Sequence, residues 1–266
     1  FGPDPGNPDV VKAAVVVELT HLATLYHDDV MDEAELRRGA PSANSRWDNT
    51  VAILTGDFLF ARASDLLADL GPEAVRIQAR TFERLCTGQI RESVGPDDGI
   101  DAVKHHLQVL SDKTGSLIAT AGRFGTMMAG ADHATVETMS RFGEAIGVAF
   151  QLADDIVDIT SDATQSGKSP GTDLREGVPT LTTLIAQGSD DPQDAALIEI
   201  LSGPIPDDAQ HARALGLLRA HPALSSAREE ARRWADDARR TLEPLPSGDA
   251  KCALEALCDY VVNRTG

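Results

Sequence analysis

Two stretches carry the same arrangement of carboxylates. Asp28-Asp29-Val30-Met31-Asp32 and Asp154-Asp155-Ile156-Val157-Asp158 are both DDxxD. On a helix, residues four apart lie on one face about one turn apart, so each cluster presents two aligned carboxylates. Like charges at that spacing destabilise an isolated helix, and a cation between them relieves the repulsion. Oxygen-only donors select a hard metal, and Mg²⁺ typically takes one or two carboxylates together with substrate phosphates. The bland explanation is a solvated acidic face. About one residue in ten is Asp, which gives about 0.3 chance matches to the pattern per chain, so a pair of matches asks for a reason. Each cluster also follows a mostly apolar stretch, Leu22 to Tyr26 and Ile146 to Leu152, which suits a cleft better than open surface.

Around the clusters lie cations of the kind a diphosphate needs. Arg37 and Arg38 follow the first cluster where its helix is ending, and paired guanidinium groups recognise phosphate in bidentate fashion. The same pair could be solvated and merely balance Glu33 and Glu35. Lys113-Thr114 falls in a helical segment at mid-chain, and Lys168 in a long loop. A lone Lys in either place is more often surface than site. Gln151, three residues before Asp154, shares its helical face, and His21 lies two turns before Asp28 on that cluster's face. A single His is more often structural than catalytic.

These groups must be positioned by helices. No Pro or Gly interrupts Asp9 to Glu35, and Val11, Ala14, Val15, Leu19 and Leu22 mostly follow the i, i+3, i+4 stripe. Gly39 and Pro41 then break the pattern. Further helices are predicted at 47–70, 73–94, 101–129, 133–159, 178–187, 193–202, 207–219, 223–242 and 249–263. Strands have little support. The longest irregular segment, Ser161 to Pro179, has the Ser, Thr, Gly and Pro content of a functional loop. The 266 residues read as one all-α domain, a single helical bundle over 1–266. Its 42% hydrophobic and 25% charged residues fit a folded chain. Lys and Arg number 24 against 42 Asp and Glu, a net charge of -18. With no basic run and only 4% aromatics, a nucleic-acid partner is not expected. No apolar run is long enough to span a bilayer. Cys86, Cys252 and Cys258 lack paired spacing, which points to a reducing, cytoplasmic setting.

Taken together the motifs resemble the trans-polyprenyl diphosphate synthases. Glu18 to Asp32 followed by Arg37-Arg38-Gly39 is similar to that family's first aspartate-rich region, and Gly56-Asp57-Phe58-Leu59 to its GDFL turn. Lys113-Thr114-Gly115-Ser116-Leu117 matches its KT motif. Phe150-Gln151 through Asp158, with Gly167-Lys168 and Gly171-Thr172-Asp173 behind, matches its second region. The likeness covers Val11 to about Leu184. It implies a helical bundle of the isoprenoid synthase type with a central cleft, in which a prenyltransferase condenses isopentenyl diphosphate with an allylic diphosphate. Asp28, Asp32 and Asp154 would be catalytic through Mg²⁺, three ions per site, with Lys113 and Lys168 completing the catalytic set and Asp29, Asp155 and Asp158 alongside as metal residues. Arg37, Lys113, Thr114, Gln151 and Lys168 would contact the allylic diphosphate, and Arg38 with His21 the isopentenyl diphosphate. A homodimer is implied as well. The family carries a basic GGKxxRP segment before a loop like Gly2-Pro3-Asp4-Pro5, so an upstream extension beyond Phe1 is expected. Val178 stands near a point where many members have Lys.

The resemblance also bears on product length. Short-chain members often carry Phe or Tyr at the positions of Ala23 and Thr24. Both are small here, and Thr20 lies about 12 Å along the helix axis from Asp28. The expectation is a product of C20 or longer. The competing explanation packs Ala23 and Thr24 against a neighbouring helix and gives Phe58 or Phe60 the role of a stop. Three other functions compete. A class I terpene cyclase shares the ionisation chemistry but rarely keeps two full clusters with a double Arg. An HD-type phosphohydrolase, suggested by His27-Asp28, leaves the second cluster and both Lys unexplained. A silent partner subunit has no need of intact aspartates.

Overall fold

The computed structural model describes residues 1–37, 39–161 and 170–264. Helix α1 (Pro8–Met31) opens where Asn7 accepts the Asp9 N–H at 3.0 Å and Pro8 takes the first helical position. It stops short of Glu35 because Glu33 adopts a φ of 49° and the Ala34 N–H turns back to the Asp29 carbonyl at 2.9 Å. A two-stranded hairpin follows, β1 (Leu36–Arg37) against β2 (Ala40–Pro41), although strands have little support in the residue pattern. Two residues per strand are too few to show alternation. Helices α2 (Ala43–Trp47) and α3 (Asn49–Leu70) are separated at Asp48, whose φ of 110° ends one while its carboxylate caps Val51 N–H of the next at 3.1 Å.

Then come α4 (Pro72–Val94), α5 (Ala102–Leu110), a π-helical turn at Ser111–Gly115, α6 (Ser116–Met128) and α7 (His133–Thr160). A short α8 (Thr172–Glu176) lies within the stretch expected to be irregular. The remainder is α9 (Leu181–Gln187), a 3₁₀ turn at Pro192–Asp194, α10 (Ala195–Ile200), α11 (Asp208–Ala220), α12 (Pro222–Thr241) and α13 (Asp249–Asn263).

The chain divides into two compact units, Phe1–Glu83 with Leu117–Ser140, and Arg84–Ser116 with Arg141–Gly266. In the first, Ala13 and Val16 of α1 meet Ala63 and Leu67 of α3, Ala74 and Ile77 of α4 and Phe124 of α6. In the second, Val148, Leu152, Ile156 and Ile159 of α7 pack with Leu181 of α9, Leu218 of α11 and Ala227 and Ala231 of α12. A fully buried Leu such as Leu152 contributes about 1.5–3 kcal/mol. The α7 stripe also decides which aspartates are accessible. At about 100° per residue, Asp155 lies beside the stripe, while Asp154 and Asp158 are turned away from it.

Candidate active site

The first cluster ends α1. Asp28 is half-buried and Asp32 exposed, whereas Asp29 is 4% exposed. The chain that follows, not the helix core, buries Asp29. Arg37 of β1 folds back and donates from Nε and Nη2 to Asp29 Oδ1 at 2.6 and 2.5 Å. This two-pronged pair fixes the guanidinium beside the cluster, at the cost of committing Asp29 to it. His27, just before the cluster, contacts the Ile53 carbonyl at 3.2 Å and Asp57 at 3.4 Å. Gly56 makes room for it, since a Cβ there would collide with the imidazole. Of the positions read as chain-length determinants, Ala23 and Thr20 are fully buried and Thr24 is half-buried. Thr20 donates to the Val16 carbonyl at 2.9 Å and accepts from Gln78 Nε2 at 2.8 Å. Phe58 is 62% exposed, and the Phe60 ring lies tilted against those of His27 and Phe82, with centroids 5.8 and 4.4 Å away.

The second cluster is crowded with acid. Asp154 is exposed, Asp155 buried, and Asp158 accepts the Thr172 and Asp173 N–H groups at 3.2 Å each. Burial pushes Asp155 up to about 7, against a hydrogen bond from Gln151 that lowers it, with Asp154, Asp158 and Glu92 adding to the rise. Asp173 is pushed up to about 8 by burial and by Asp155, Asp158, Glu176 and Asp154. His106 is held down to about 4 by burial and by its neighbour His105, and its Nε2 stands 3.8 Å from Asp155, beyond hydrogen-bond range.

Three sequence candidates gather here. Gln151 Nε2 donates to Asp155 Oδ1 at 3.0 Å, and Thr114 Oγ1 donates to Gln151 Oε1 at 3.3 Å. The Lys113 ammonium pairs with Glu92 of α4. Sequence reasoning passed over Glu92, which stands outside either DDxxD and shows no signal by spacing, and it met Asp173 only through the family resemblance, with no role attached. It also passed over Arg264 at the end of α13, which donates to Asp154 Oδ1 and the Phe150 carbonyl at 3.0 Å each and lies over the Phe150 ring. His21 is half-buried and Val178 is exposed. Arg38 and Lys168 lie outside the described residues.

Among the described residues no three His, Cys, Asp or Glu side chains converge to hold a metal by themselves. Each cluster offers instead two carboxylates one helical turn apart. That donor set fits Mg²⁺, which completes its octahedron with water and phosphate oxygens. The upward shifts of Asp155 and Asp173 point the same way, because carboxylates crowded in this manner are relieved by a nearby cation.

A predominantly helical chain with two DDxxD clusters, one ending α1 and one within α7, defines an isoprenoid synthase of the prenyl-transferring class. The polyprenyl synthetase family model matches residues 4–217. A nonaprenyl diphosphate synthase of Mycobacterium tuberculosis is 53% identical over all of this chain and 79% of its own length. A dimethylallyltranstransferase of the same organism is 41% identical over 99% of this chain and 80% of its own length. Among solved structures, a geranylgeranyl pyrophosphate synthase from Corynebacterium glutamicum, complexed with calcium and isoprenyl diphosphate, superposes with a TM-score of 0.89 at 48% identity, covering all of this chain and 81% of that one. The chain belongs to the polyprenyl synthetase family and is a trans-prenyltransferase.

Proposed function

We propose that this chain condenses isopentenyl diphosphate with an allylic diphosphate, releasing inorganic diphosphate and a trans-polyprenyl diphosphate of C20 or longer. The observation that carries the reading is the second cluster, where Lys113, Thr114 and Gln151 meet a surplus of carboxylate. Asp28 and Asp32 would hold Mg²⁺ at one cluster, and Asp154 and Asp158 at the other, three ions in all with substrate bound. Asp29 serves to hold Arg37 in place. Bound Mg²⁺ neutralises the charge that develops on the departing diphosphate.

The side chains do the remaining work. Lys113 exchanges Glu92 for the allylic diphosphate, Arg37 offers its remaining guanidinium edge, and Gln151 orients Asp155 while donating to phosphate oxygen. Arg38 and Lys168 are proposed phosphate contacts, and His21 lies on the isopentenyl side. As the allylic carbon–oxygen bond breaks, the isopentenyl double bond attacks the allylic carbon. The proton then lost passes to diphosphate. Apolar surroundings must keep water away, since it would trap the cation. A homodimer in the cytoplasm is part of the same proposal. No described helix is long and apolar enough to cross a membrane.

The test is incubation with Mg²⁺, labelled isopentenyl diphosphate and an allylic starter. Elongated diphosphate is expected, and Asp28→Asn or Asp154→Asn should each lower kcat by several orders of magnitude with the fold intact by circular dichroism. Free hydrocarbon would indicate a cyclase and phosphate alone a hydrolase. Near-normal turnover in either variant at saturating Mg²⁺ would remove that cluster from the mechanism.

A further inference from the structure

Lys113 and Thr114 are carried on the π-helical turn Ser111–Gly115. A π turn is a strained insertion in an α-helix and persists where its surroundings over-determine it. Here the surroundings are unusually specific. Asp112, one residue before the lysine, is 4% exposed and accepts from Arg84 Nε at 2.9 Å, Arg91 Nη1 at 2.6 Å and Gln108 Nε2 at 3.1 Å. Arg84 reaches further. Its Nη2 donates to Ser111 Oγ at 3.0 Å and to Glu144 Oε1 at 2.7 Å, and the Ser111 hydroxyl donates to the same Glu144 oxygen at 2.7 Å. The Asp112 carbonyl takes the Ser116 hydroxyl at 2.6 Å.

Two glycines let the neighbouring helices close on the turn. A Cβ at Gly88 of α4 would stand 2.9 Å from Asp112 Cβ and 3.0 Å from Lys113 Cγ, and one at Gly115 would stand 3.1 Å from the Glu144 carbonyl of α7. The turn is thus gripped from α4 by two arginines and from α7 by a glutamate, with Asp112 as the shared acceptor.

We propose that Asp112 is a positioning residue, which with Arg84, Arg91 and Glu144 holds the π turn and thereby aims Lys113 at the allylic diphosphate. The inference rests on the reading above that Lys113 binds that substrate. Removing the Asp112 charge leaves Arg84 to Glu144 and Ser111 and releases Arg91 to solvent. If the turn then relaxes to α geometry, the residues on it rotate by up to about 100°, enough to take the ammonium off its target. Asp112 itself touches no substrate.

The experiment is steady-state kinetics on Asp112→Asn, Lys113→Ala and the double variant, with both substrates titrated separately. Expected is a rise of about tenfold or more in KM for the allylic diphosphate in each single variant, with KM for isopentenyl diphosphate changed by less than about twofold. In the double variant the two effects should not multiply, because Asp112 acts through Lys113. A purely structural role would lower the melting temperature and the active fraction while leaving both KM values alone. Should Asp112→Asn fold poorly, Arg91→Gln removes one clamp from an exposed side chain and should raise the same KM by about threefold. A raised allylic KM in Lys113→Ala with none in Asp112→Asn and Arg91→Gln overturns the positioning role alone. An unchanged KM in Lys113→Ala overturns the role assigned to the lysine, and the clamp's purpose with it. Multiplicative effects in the double variant would show that Asp112 acts by another route.

Discussion

At the scale of single residues, spacing revealed the accessible carboxylates better than the buried ones. Asp154 and Asp158, four apart, share one face of α7, which is turned away from the core stripe, and Asp155 lies on the buried side. Glu92, Asp112 and Asp173 could not be found that way, because tertiary packing and not local period brings them to the site. The buried acids have a consequence for stability. Unfolded Asp titrates near 3.9, while Asp155 and Asp173 titrate at about 7 and about 8 in the fold. Between those values the folded chain binds more protons than the unfolded one, so stability falls as pH rises. His106, at about 4 in the fold against about 6.5 unfolded, works in the opposite sense but only below about 6.5. The melting temperature of metal-free protein should therefore fall from about pH 6.5 to about pH 8.5, and Mg²⁺ should flatten the decline by holding the carboxylates ionised. A flat metal-free profile in scanning calorimetry would sink this account. The turn before Asp28 offers a second test. Ala23 is fully buried, so Phe there would overpack the helix, but half-buried Thr24 has room to tell. Thr24→Phe is expected to shorten the product distribution seen by chromatography after dephosphorylation. Unchanged products would mean that this turn does not line the path of the growing chain.

Among the elements, long helices with clear periodicity were legible and their interruptions were not. The expected helices at 73–94 and 133–159 stand as α4 and α7 with little change. The run from Asp9 to Glu35 contains no breaker, yet α1 stops at Met31 because the hairpin returns Arg37 to Asp29, a contact eight residues distant. The expected helix at 101–129 is interrupted by the π turn for a similar reason, since Arg84 and Glu144 come from other helices. Asp48 interrupts the predicted helix near its start through a φ of 110° with a ψ of 167°, a conformation outside the left-handed helical region that Asp favours and one that local sequence does not announce. Gly56 is the reverse case, a glycine inside α3 that weakens the helix intrinsically and is kept for what lies against it. Gly56→Ala should gain helix propensity of about 1 kcal/mol and still destabilise by about 1–3 kcal/mol, because the new methyl meets His27. Chemical denaturation would measure it. A variant as stable as the parent would show that His27 can move aside freely, and with it that the α1–α3 contact does not fix the residue before Asp28.

For the molecule as a whole, a net charge of -18 opposes both compaction and the approach of anionic substrates. Each cluster answers locally, the first with Arg37 and the second with Lys113 and Arg264. These two electrostatic ranges can be separated by salt. Screening lengths shrink from about 30 Å at 0.01 M to about 10 Å at 0.1 M, which silences repulsion between distant surface acids but leaves contacts of a few ångströms in place. Raising KCl across that range at constant pH should raise the melting temperature of metal-free protein by a few degrees, since self-repulsion is the larger unsatisfied cost. MgCl₂ at matched ionic strength should add a further rise, because it binds the aspartate clusters besides screening the surface. Asp154→Asn should keep the KCl response and lose much of the Mg²⁺ excess. Equal responses to the two salts in the parent protein would mean that the clusters attract Mg²⁺ no better than the rest of the acidic surface does. In that case the metal must arrive already bound to diphosphate, with phosphate oxygens supplying the affinity that paired carboxylates alone do not.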